Sequence, residues 1–84
     1  MKNKILIKVL VPSINGEYEV FIPANERISK VKELLVKVIR DLSDTEISMD
    51  KIYSLIDPEE GTIYDSRLIV RETNIKNSKK VVLL

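Results

Sequence analysis

Acidic side chains are where chemistry could begin in this chain of 84 residues. Asp57, Glu59 and Glu60 stand together in the stretch Asp57-Pro58-Glu59-Glu60-Gly61. Carboxylates so close in sequence could hold a hard cation through oxygen ligands, and a carboxylate pair is the machinery of glycoside hydrolysis. The spacing is not that of a calcium loop, and Pro58 divides the group, so a solvated turn is expected. Nothing nearby extends the chemistry. The chain has no His and no Cys, which removes the commonest general base, the thiolate nucleophile, Cys and His metal sites, and disulfides. Its two glycines, Gly16 and Gly61, stand far apart, so no Gly-rich phosphate loop exists. No catalytic residue, metal site or cofactor is expected, and the chain does not read as an enzyme.

What remains is shape and surface. A chain of this length has room for one domain, residues 1–84, with a single core. Apolar residues make up 44% and charged residues 32%, the balance of a soluble globular domain. Fourteen Lys and Arg against 13 Asp and Glu give a net charge of +1, which argues against a nucleic-acid partner. No run approaches the ~20 apolar residues needed to cross a bilayer. Lys8 interrupts the only apolar run near the start, and no cleavage site follows. Cytoplasmic residence without membrane insertion is the expectation. The charge is unevenly distributed: residues 41–65 carry eight acids and one base, whereas 27–40 and 66–84 are each net +4.

The elements that position these residues follow from periodicity. Residues 4–11 alternate, with Ile5, Ile7, Val9 and Val11 on one face and Lys4, Leu6, Lys8 and Leu10 on the other. Asn15-Gly16 signals a hairpin. A second strand, Glu17 to Ile22, turns Tyr18, Val20 and Ile22 inward and Glu17, Glu19 and Phe21 outward. From Ile28 the period becomes helical: Ile28, Val31, Leu34, Leu35, Val38, Ile39 and Leu42 form one stripe of a helix from about Arg27 to Asp41. Residues 43–50 read as a loop with Ile47 and Met49 as plugs. Lys51 to Asp57 is a strand with two open registers: Ile52, Ser54 and Ile56 face the core, or Tyr53 and Leu55 do. Thr62-Ile63-Tyr64 is a short return strand. Asp65 to Asn77 is irregular, anchored by Leu68, Val70 and Ile75. Lys79 to Leu84 is a last strand, expected parallel to the first. The fold class is α+β, a mixed sheet of four to five strands with one helix packed across it.

These residues resemble the ubiquitin superfold. The Asn15-Gly16 hairpin, Ile22-Pro23-Ala24 leading to Ile28, and Asn74-Ile75-Lys76-Asn77 before Val81 and Leu83 carry the resemblance over nearly the whole chain. Within the superfold the chain resembles YukD/EsaB-type proteins, which are associated with type VII (WXG-type) secretion in Gram-positive bacteria. Ser66-Arg67-Leu68 and the terminal Leu83-Leu84 add to that likeness. Two departures stand out: Asn77-Ser78-Lys79 replaces a frequent Asn-Gly-Asp, and Thr73 replaces a Tyr. Ubiquitin and related sulfur carriers are activated at a flexible Gly-Gly tail, whereas this sequence stops at Val81-Val82-Leu83-Leu84. With Leu84 as the native terminus, neither conjugation nor sulfur carriage is expected.

The resemblance also points to a working surface. Ubiquitin-like folds dock partners on the sheet face away from the helix, which here carries Leu6, Leu10, Phe21, Val82 and Leu84, with Ile14 at the loop tip and Lys8 on the rim. The expected role is a non-conjugated adaptor that binds a protein partner, such as a cytoplasmic domain of a secretion component. A homodimer built on the same face is the alternative. A third reading, an anionic-ligand or nucleic-acid reader, would use Arg27, Lys30, Lys37 and Arg40.

Overall fold

The computed structural model describes residues 3–43, 47–48 and 51–84. Met49, and Asp44, Glu46 and Asp50 of the acidic block, lie outside the described residues. Strand β1 spans Lys4–Val11 and β2 spans Gly16–Pro23. They pair antiparallel from Lys4↔Pro23 to Val11↔Gly16. Alternation turns Ile7, Val9 and Val11 fully inward, together with Val20 and Ile22 of β2. Tyr18 is half-buried and packs on that core.

The hairpin forms where expected, but by a different turn. Asn-Gly pairs favour a two-residue connection with both residues at positive φ. Here four residues, Pro12 to Asn15, make the connection, and Pro12–Ile14 form a 3₁₀ turn. Only Asn15 takes the left-handed conformation, at φ 52°, which Asn tolerates better than most residues. Gly16 already belongs to β2 and serves by lacking a side chain: a Cβ there would come within 2.6 Å of the Tyr18 ring.

Helix α1, Ile28–Leu42, lies across one face of the sheet. It starts one residue later than the periodicity suggests and has no side-chain cap at its N-terminus. Backbone from a distant loop does that work. The N–H of Ile28 donates to the Leu68 carbonyl (2.8 Å) and that of Ser29 to the Ser66 carbonyl (3.1 Å), satisfying two of the donors a helix start leaves open. Ile28, Val31, Leu35, Val36 and Ile39 are buried. Leu34 and Val38 are half-buried and Leu42 is 61% exposed, so the stripe sits closer to Val36 than expected. Residues 51–53 stand across a groove from that flank of the helix.

Strands β3 (Leu55–Asp57), β4 (Thr62–Ile63) and β5 (Lys80–Leu83) complete a five-stranded mixed sheet in the order β2-β1-β5-β3-β4. As expected, β5 runs parallel to β1; the other pairs are antiparallel. The open register resolves in favour of Tyr53 and Leu55, which are buried with Asp57, while Ile52 is 90% exposed. Ile47, Val70 and Ile75 fill the core, but the Leu68 side chain is largely outside it. Leu68 anchors through its backbone instead. Each fully buried Ile, Leu or Val contributes roughly 1.5–3 kcal/mol through loss of apolar surface from water. Ser78 precedes β5 at φ 71°, where its N–H donates to the Leu6 carbonyl at 2.7 Å.

Candidate protein-interaction face

Residues paired across a sheet point to the same side, so the strand register fixes what the face away from α1 presents. Leu10 pairs with Val82, Val82 with Ile56, and Ile56 with Ile63. These four make an apolar row across β1, β5, β3 and β4, about 14 Å long at ordinary strand spacing. Leu84 lies two residues beyond Val82, exposed, with its N–H donating to the Ser54 carbonyl at 3.0 Å. Ile63 is 66% exposed, and Leu10, Val82 and Ile56 are half-buried.

The remaining expected residues form a separate group. Leu6 pairs with Phe21, which is 58% exposed. Between this pair and the apolar row runs a charged row, because Lys8 pairs with Glu19 on one side and Lys80 on the other. Lys8 therefore divides the face where a rim position was expected. Ile14 is half-buried and packs on the core, leaving Pro12, Ser13 and Asn15 as the exposed residues of the loop. The register thus brings Leu10, Val82 and Leu84 together, sets Leu6 and Phe21 apart, and draws Ile14 inward. Ile56 and Ile63 join the face although neither is among the residues expected there. Their signal was the Asp57 to Thr62 turn, which makes its flanking residues face each other.

The acidic turn is not simply solvated. Glu59 and Glu60 are exposed, but Asp57 is 1% exposed. Its Oδ2 accepts from Asn74 Nδ2 (2.7 Å), and its Oδ1 accepts from Lys79 Nζ (3.0 Å) and the Glu59 N–H (3.0 Å). Asn74 Oδ1 in turn accepts from the Tyr64 hydroxyl at 2.7 Å. An ammonium stands where a bound cation was conceivable. The Asn74 amide holds the Asp57 carboxyl down at about 2, against burial and with help from Lys79. Burial, then the Asp57 charge, pushes Tyr64 up to about 12. Neither group titrates near neutral pH, so the network fastens the β3–β4 turn to the approach of β5 and offers no general acid or base. Among the described residues no group of three or more acids could hold a metal ion. Among them, too, no helix is long and apolar enough to cross a membrane.

A five-stranded mixed sheet clasping one helix, with β1 and β5 parallel at its centre, is the ubiquitin-like β-grasp fold. No protein-family model and no curated protein matches the chain. Solved structures do. The chain is similar to a component of the "MycP5-free ESX-5 inner membrane complex, State II" (TM-score 0.79, 15% identity), covering 98% of this chain and 21% of that one. It is similar to the EccD5 ubiquitin-like domain from Mycobacterium xenopi (TM-score 0.72, 14% identity), covering 96% of this chain and 92% of that one. It also matches the N-terminal ubiquitin-like domain of the 4931431F19Rik protein (TM-score 0.74, 19% identity), covering all of this chain and 76% of that one. At these identities the likeness is one of fold.

Proposed function

We propose that this chain is a non-covalent, ubiquitin-like adaptor domain that docks a protein partner on its outer sheet face and performs no catalysis. The observation that carries the reading is the row Leu10–Val82–Ile56–Ile63, a continuous apolar strip on the face that α1 leaves uncovered. Soluble domains seldom leave such strips in water without a use. The Glu19–Lys8–Lys80 row beside it supplies a charged border, the composition of an interface with an apolar centre and a polar rim. Leu6, Phe21 and Leu84 extend the surface on either side. The resemblance to YukD/EsaB-type sequences, and the similarity of fold to an ESX-5 component and to EccD5, favour a cytoplasmic role in a type VII secretion assembly. The partner is then a cytoplasmic portion of that assembly's membrane components.

Co-purification of the protein with those cytoplasmic portions tests this. Leu10→Glu and Ile63→Glu, each confirmed folded by circular dichroism, are expected to lose the partner. Retention of the partner by both variants overturns the proposal. Light scattering decides the alternative use of the same strip: a dimer that Ile63→Glu converts to monomer assigns the strip to self-association.

A further inference from the structure

On the helix side of the molecule an open groove of about 680 Å³ runs between α1 and the segment 51–53. Its walls carry Lys30, Lys32, Lys37 and Lys51, with Glu33 as the one carboxylate among the described residues. Three of these cations are held in place. Lys32 Nζ donates to Ser66 Oγ at 2.9 Å. Lys51 Nζ sits 5.0 Å from the centre of the Tyr53 ring, a favourable cation–π position. Lys30 lies 3.7 Å from Glu33, which spends that carboxylate within the groove. Among the described residues Lys37 meets no carboxylate. Val36 and Tyr53 give the groove apolar walls, and Ile52 stands at its rim with 90% of its surface exposed.

We infer that this groove is a second docking site, taking a short acidic peptide segment of a partner protein that carries one aliphatic side chain. Charge complementarity selects the sign: among the described residues of the groove, four lysines stand with one already-paired carboxylate. The exposed Ile52 beside Val36 selects the aliphatic anchor. Size selects a peptide, since Lys30 to Lys37 spans about 10 Å of helix, the length of about three extended residues. Other anionic partners fit less well. Single-stranded nucleic acid needs free aromatic faces on which bases stack, whereas Tyr53 is 7% exposed, capped by Lys51, and donates its hydroxyl to the Ser48 carbonyl. A membrane surface would meet a concave wall with a single protruding aliphatic residue, not the broad apolar face that interfacial helices insert. The site is independent of the outer sheet face and stands whether or not that face binds a partner.

Amide NMR shifts of the intact protein test the inference. The probe is the peptide Glu-Glu-Leu-Glu-Glu, compared with Gln-Gln-Leu-Gln-Gln, Glu-Glu-Ser-Glu-Glu, an oligothymidylate and phosphatidylglycerol vesicles. Saturable shifts confined to residues 30–37 and 51–53 are expected with the first peptide, and binding about tenfold weaker with both control peptides. Lys37→Glu with Lys51→Glu removes the shifts, and Ile52→Ser weakens them while leaving spectral dispersion intact. Should the charge-reversed variant misfold, Ile52→Ser carries the test, because so exposed a side chain has no part in the core. Three results overturn the inference: no saturation at about 1 mM peptide, shifts centred on Leu10, Val82 and Ile63, or tighter binding of the oligothymidylate or the vesicles.

Discussion

Lys79 Nζ lies 3.0 Å from Asp57 Oδ1, with the lysine side chain 12% and the aspartate 1% exposed. The pair ties the β3–β4 turn to the residue that leads into β5, and so holds together two of the strands that form the apolar row. A charge this buried is tolerated because the rest of the carboxylate is satisfied by Asn74 and by the Glu59 N–H.

The first prediction concerns pH. Asp57 has a carboxyl at about 2 in the fold against 3.8 ordinarily. A depressed carboxyl lends stability that is fully present above the ordinary value and is lost as pH falls toward the folded one. Melting temperature should therefore drop between about pH 4 and pH 2. Asp65, also held at about 2 by Arg67, adds to the same window from a more exposed position. Asp57→Asn should lower the melting temperature at pH 7 by roughly 10 °C and flatten most of the acid slope, leaving the Asp65 part. An unchanged slope in thermal melts of Asp57→Asn would show that the network is not what acid disrupts.

Gly16 gives the second prediction. Its φ is not positive, so Gly16→Ala meets no backbone penalty; the cost comes from the Tyr18 ring, 2.6 Å from the new Cβ. Crowding of that kind destabilises by roughly 1–2 kcal/mol when the neighbour can turn aside. In a Tyr18→Ala background the same change should cost almost nothing, because the two residues share one contact. Denaturant midpoints of the double-mutant cycle measure this, and additive effects would contradict it.

The register of β3 supplies the third. Ile52 is 90% exposed and Leu55 is fully buried, so two aliphatic residues three apart should behave oppositely. Leu55→Ala should destabilise by about 2–5 kcal/mol, as cavities in well-packed cores do, and Ile52→Ser by less than about 0.5 kcal/mol. The reverse order, with Ile52→Ser the costlier change in chemical denaturation, would mean that the strand is seated one residue out of place.

How far the residues alone could reach is visible in these same elements. The alternation of β1 and the stripe of α1 were readable because one apolar face repeats over eight or more residues. β3 was not, because Ile52, Tyr53, Leu55 and Ile56 offer apolar residues to both faces, and only pairing with β4 and β5 chooses between them. The helix start was hidden for a related reason: its donors are satisfied by the carbonyls of Ser66 and Leu68, roughly forty positions away, so no capping residue stands beside Ile28. Phe21, Leu10 and Val82 were recognisable as outward-facing from strand parity. Lys8 standing between Leu6 and Leu10 follows from the alternation of β1 itself, but the alignment of Val82 with Leu10 and of Lys80 with Lys8 depends on the parallel offset of β5 against β1, which no local pattern encodes. The burial of Asp57 likewise waits on Asn74 and Lys79 arriving from the far end of the chain.

Ser78 carries the last prediction. The backbone at Ser78 adopts φ 71°. That conformation suits glycine and costs a residue bearing a Cβ roughly 1 kcal/mol. The turn must keep it, because the Ser78 N–H donates to the Leu6 carbonyl and the Leu6 N–H donates to Asn77 Oδ1 at 2.9 Å. Both bonds set the offset of β5 along β1, and with it the pairing of Leu10 with Val82. Relieving the strain should outweigh the greater freedom glycine gives the unfolded chain. Ser78→Gly should therefore raise stability by about 0.5 kcal/mol. Ser78→Val, with a β-branched side chain in the same conformation, should lower it by at least about 1 kcal/mol. Paired denaturation curves at neutral pH distinguish the two. A glycine variant less stable than the parent would show that the Ser78 side chain contributes more to this turn than its backbone strain costs.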